Sequence, residues 1–122
     1  MEDLRKEQIE AVEALESYNK KMVNTIPTII EELKGNAKPD TKEFLNHILK
    51  GMNWEIEVIN GCLSFFNEDE ILIDKEAANA KVLEFNKAVE SADDILLADA
   101  MENIMLPFFK ELSDIIDKKL HK

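Results

Sequence analysis

The sequence predicts an all-α fold: an antiparallel up-down-up-down four-helix bundle, in one domain spanning residues 1–122. Three observations predict it. Apolar residues recur at spacings of three, four or seven through most of the chain. Only three glycines and three prolines occur in 122 residues, against average usage of about 7% and 5%. Strong helix formers, chiefly Leu, Glu, Lys and Ala, dominate the remainder. Short loops between four such helices favour antiparallel neighbours.

The first helix is expected from about Glu2 to Lys34, with Val12, Leu15, Met22, Ile26, Ile29 and Leu33 in one stripe and Tyr18 beside it. Glu2 and Asp3 suit its positive end, Lys34 its negative end, and Gly35 stops it. Pro27 removes one backbone donor inside this helix and should kink it. After a loop over Gly35–Pro39, Asp40 with Glu43 reads as a capping box, with Thr41 as the alternative cap. The second helix then runs to about Phe66. Asn67 with Glu70 opens a third helix, or Ile71-Leu72-Ile73 forms an ordered apolar loop before Ala78, Val82, Phe85 and Val89 resume helical spacing. Ser91 with Asp94 starts the fourth, which runs to about Lys119 and buries Leu97, Met101, Ile104, Phe108, Leu112 and Ile115.

Charge narrows the function. With 26 acidic and 15 basic residues the net charge is −11 and the pI about 4.6. A nucleic-acid partner is not expected, because phosphate contacts need a basic face. An anionic membrane surface is disfavoured for the same reason. The opening Met-Glu-Asp-Leu-Arg-Lys-Glu has neither the basic segment nor the apolar run of a signal peptide, and no run is long enough to span a bilayer. The expectation is a cytoplasmic protein. Cys62, the single cysteine, forms no internal disulfide and reads as a semi-buried apolar residue.

The second helix has one face too many. At 100° per residue, Leu45, Ile48, Met52, Ile56, Ile59, Leu63 and Phe66 share the core seam. Glu43, Asn46, Lys50, Asn53, Glu57, Asn60 and Ser64 form a polar line roughly 125° away. A third line, about 130° to the other side, holds Phe44, His47, Gly51, Trp54, Val58, Gly61 and Phe65. Either neighbouring helices cover this second stripe, or it is a contact surface with two glycines for close approach and Trp54 as anchor.

His47-Ile48-Leu49-Lys50-Gly51 resembles the His-x-x-Lys-Gly core of histidine phosphotransfer domains, which are acidic four-helix bundles of this size. By that resemblance His47 would be the phospho-acceptor, Lys50 would offer positive charge to the phosphoryl oxygens, and Gly51 would leave room for a partner's aspartate pocket. Met52, Asn53, Trp54 and Glu55 follow where that family has small residues, and Glu57 stands where it has a later Gly. A second resemblance covers more of the chain. Gly51-Met52-Asn53-Trp54, Asp94-Ile95-Leu96-Leu97-Ala98-Asp99 and Leu106-Pro107 look like a family of small uncharacterised helical proteins from Gram-positive bacteria. It implies four helices and structural weight for Trp54, Asp99 and Pro107, and no activity.

Catalytic and metal chemistry find little support. The Glu-x-x-His pairs of carboxylate-bridged metal sites are missing, and Glu68-Asp69-Glu70 lacks the alternating ligands and central Gly of a calcium loop. No Gly-rich phosphate loop or cofactor motif is present, so no metal or cofactor is expected. Cys62 and His47 lie more than about 20 Å apart along one helix and form no nucleophile–base pair. The expectation is a non-catalytic interaction module, an adaptor or export-chaperone-like protein. It would bind a protein partner or a second copy along the His47–Phe65 stripe, with histidine phosphotransfer through His47 as the alternative.

Overall fold

A computed structural model describes residues 2–121; Met1 and Lys122, the ends of the expected domain, lie outside that range. The chain is all-helical, with no strand among the described residues. In order come α1 (Glu2–Leu33), α2 (Thr41–Gly61), α3 (Leu63–Phe66), α4 (Lys75–Glu90), α5 (Asp94–Ala100), a π-helical turn (Met101–Met105) and α6 (Leu106–His121).

The stripe expected on the first helix is the one that α1 buries: Val12, Leu15, Ile26 and Ile29 are wholly covered and Met22 and Leu33 nearly so. Helix α1 ends at Leu33, and Gly35 takes a φ of 132°, a conformation that favours glycine, to turn the chain away. Pro27 lies exposed on α1, where it leaves the Val23 carbonyl without its helical donor, and the helix runs through it.

Side-chain hydrogen bonds fix how the helices run. Gln8 donates to the Gly61 carbonyl and to Ser64 Oγ, while Thr41 Oγ1 donates to Glu32 at the other end, so α1 and α2 are antiparallel. Asn19 Nδ2 donates to the Phe109 carbonyl (2.9 Å) and to Ser113 Oγ (2.7 Å), and Lys34 pairs with Glu102, so α1 is antiparallel to α6 as well. Helix α4 packs on α5 and the π turn. The buried apolar residues form one contiguous cluster.

The helix starts differ from those expected. Asp40 precedes α2 without a side-chain cap bond; Thr41 Oγ1 instead accepts from the Lys38 amide and donates to Glu32. Asn67 opens no helix. Its Oδ1 accepts from the Leu72 and Ile73 amides and its Nδ2 donates to the Ile73 carbonyl, which ties Ile71-Leu72-Ile73 into an ordered loop. Asp74 then caps α4 through the Ala77 amide. At α5 the cap is Asp93, which accepts from Ile95 and Leu96; Ser91 closes the end of α4 by donating to Ala88.

Two interruptions were not expected. Cys62 breaks the second helix into α2 and α3, although the Phe66 amide still reaches the Cys62 carbonyl. The fourth helix carries the π turn, and with it the buried set shifts. Met105, Phe109 and Ile116 are covered where Ile104, Phe108 and Ile115 were expected, and those three are half-buried. Leu97, Met101, Met105 and Phe109 repeat every four residues, a spacing that drifts by about 40° per step on an α-helix. One wider turn absorbs the drift and keeps all four on the core. Pro107 is the second residue of α6, so the donor it lacks would have pointed at Asn103 within that turn.

Candidate functional site

The second apolar line of α2 is shared between the fold and the surface. Gly51 is buried because Tyr18 and Met22 of α1 lie over it, and a Cβ there would collide with the Tyr18 hydroxyl. Trp54 packs edge-on against the Tyr18 ring, with centroids 5.2 Å apart and planes at 62°, and remains 38% exposed. Phe65 is 3% exposed. Lys119 stands 4.7 Å and Arg5 5.5 Å from its ring centroid. Both cations also hold Glu68, whose carboxyl is pulled down to about 2 by the hydrogen bonds that Arg5 and Lys119 donate to it. The start of α1, the end of α3 and the end of α6 are thus tied together around Phe65.

Of the seven residues expected to meet a partner, Gly51 and Phe65 are therefore taken up inside the molecule. Phe44 and Val58 are half-buried, and His47 and Gly61 are exposed. The gap at Gly51 admits α1, so it supplies neither the close approach of a second backbone nor clearance for an aspartate pocket. His47 and Lys50 both reach solvent.

A larger concavity opens where the start of α2, the end of α4 and α5 meet the end of α1. It measures about 570 Å³, within the range of ligand and peptide sites. Leu33, Pro39, Leu45, Leu49, Val89 and Leu97 line its apolar floor. Two acids, Asp93 and Asp94, and two lysines, Lys38 and Lys42, also line it. Ile95 and Leu96, on the turn beside Leu97, are 51% and 52% exposed. Sequence reasoning missed this groove because Leu33, Leu45 and Leu97 each read as core. The available signal was Ile95-Leu96-Leu97: three consecutive apolar residues on a helix cannot all face one core.

Cys62 is buried, its thiol is pushed up by desolvation, and its Sγ lies 3.9 Å from the Gln8 carbonyl that it faces. Among the described residues no cluster of His, Cys, Asp and Glu could hold a metal ion, and no helix is long and apolar enough to cross a membrane.

No curated protein and no solved structure matches this chain. The family described as Domain of unknown function (DUF8042) does, over residues 10–115, from the third turn of α1 to the penultimate turn of α6. Both helical breaks, the Tyr18–Gly51 contact and the apolar groove fall inside that span, and the chain belongs to this family.

Proposed function

We propose that this chain is a non-catalytic interaction module, an up-down-up-down four-helix bundle forming one domain, that receives a basic amphipathic helix of another protein in the groove between α2, α4 and α5. The open apolar groove carries the reading. Its lining offers Leu45, Leu49 and Leu97 to an apolar face, and Ile95 and Leu96 are exposed on the same helix as Leu97. A net charge of −11 favours a basic partner, whose Lys and Arg residues would meet Asp93 and Asp94. A cytoplasmic adaptor or export chaperone from a Gram-positive bacterium fits this description. On the Phe44, His47, Trp54 and Val58 face of α2, the Gly51 and Phe65 positions are already covered from within the molecule.

The test is anisotropy of a labelled 18-residue Leu/Lys amphipathic peptide with the full chain, beside its Leu/Glu counterpart. The expected result is micromolar binding of the basic peptide only, weakened at least tenfold by Leu49→Asp and by high salt. Equal binding to the Leu49→Asp protein would overturn the groove as the site. A dimer in sedimentation that Leu49→Asp dissociates would assign the groove to a second copy instead.

Histidine phosphotransfer remains a second reading on one observation: His47 is exposed with Lys50, also exposed, one turn on. Incubation with a phosphorylated receiver domain tests it, and label that survives His47→Gln would end it.

A further inference from the structure

We propose that Glu55 is a proton-holding group of the core, buried as the neutral acid, and that removing its proton loosens α2 from α1, a pH-sensitive device built into the fold. Glu55 is 0% exposed, and neither of its carboxylate oxygens has a hydrogen-bond partner. It lies one turn after Gly51, between the two apolar lines of α2, with Met52 and Ile59 buried on either side. An ionised carboxylate in such a place requires a cation or several donors.

None is supplied by the elements packed on α2. Of the titratable groups of α1, Tyr18 lies over Gly51, one turn before Glu55, and Glu32 is bound to Thr41 at the far end of α2. Glu16 of α1 faces His121 of α6. The cations Arg5, Lys118 and Lys119 are held at one end on Glu68 and Glu70, and Lys34 at the other on Glu102. Next after α2, Cys62 turns its thiol to the Gln8 carbonyl. On the α4 side, Asn53 and Asn86 share the cavity with Met52, Ile56 and Phe85, and no charged side chain lines it. Burial alone accordingly pushes the carboxyl up to about 8, with no charged neighbour contributing.

A proton removes the charge and gives the carboxyl a donor of its own. Among the described residues the buried side-chain atoms without a partner are the two Glu55 oxygens and Asn19 Oδ1, all three acceptors. The neutral acid carries the donor that this set lacks. Asn19 already spends its own amide hydrogens on α6.

The experiment is denaturant unfolding of the full chain from pH 5 to pH 10, wild type beside Glu55→Gln. The folding constant of the wild type should fall by up to tenfold per pH unit between about 5 and 8, then level off. The difference between the two proteins should grow over that range, because histidine titrations are common to both and cancel. Parallel profiles would overturn the proposal. Should Glu55→Gln not fold, a ¹³C-carboxyl titration of the wild type decides: a Glu55 midpoint near 8 supports it, and one near the ordinary glutamate value overturns it.

Discussion

Tyr18 fills the space that a side chain at Gly51 would need, so α1 occupies the gap in the second apolar line of α2. The same phenol ring holds the edge of Trp54. Gly51→Ala gains about 1 kcal/mol of helix propensity, but overpacking costs about 1–3 kcal/mol. The net expectation is a loss on the order of 1 kcal/mol with a shifted Trp54 emission, since Tyr18 must swing away. Tyr18→Ala should remove most of the penalty of Gly51→Ala in a double-mutant cycle. Additive losses would show that the two residues do not compete for one space.

Phe65 marks where three helix ends converge, buried beneath Arg5 and Lys119. Phe65→Ala should cost about 3–5 kcal/mol in denaturant unfolding, as for other fully packed aromatics. A surface anchor waiting for a partner would instead lose affinity and keep its stability.

Acid should undo the same corner. The Glu68 carboxyl is held low, at about 2, by Arg5 and Lys119, so its folded value lies below its unfolded one. Its contribution is present above the ordinary glutamate range and is lost as pH falls from there toward 2. Glu68→Gln should flatten that acid limb, read as the difference in unfolding midpoint between pH 5 and pH 2. This runs opposite to the Glu55 effect, which erodes stability as pH rises, so the two carboxyls bracket a stability maximum near pH 5.

The turn before α5 separates capping from general charge. Asp93→Ala should cost about 1 kcal/mol, since its side chain accepts from two amides. Asp94→Ala removes only an interaction with the helix dipole and should cost less. Ala92 sits at a φ of 56°, which costs a non-glycine residue about 1–2 kcal/mol, so Ala92→Gly should stabilise the chain by about 1 kcal/mol.

Periodicity determined a good deal by itself. The α1 stripe, the stop at Gly35, the Ile48, Met52, Ile59 and Phe66 part of the second helix's core seam and the all-helical class were legible, because each depends on residues within a few turns of one another, whereas Leu45, Ile56 and Leu63 of that seam are only half-buried. Caps were less legible: Ser, Asp, Asn and Glu cluster at every junction, and only the path of the chain decides which oxygen meets which amide. The sequence offered two uses for the second line of α2, a neighbouring helix or a partner, and tertiary packing spent Gly51 on Tyr18 and Phe65 on two cations. It also shifted the core register of the last helix through the π turn, opened the groove between Leu45, Val89 and Leu97, and sealed Glu55 away from water. These outcomes rest on which surfaces from distant parts of the chain meet. A pattern along one helix records that a face is apolar; what covers that face is settled only when the helices pack.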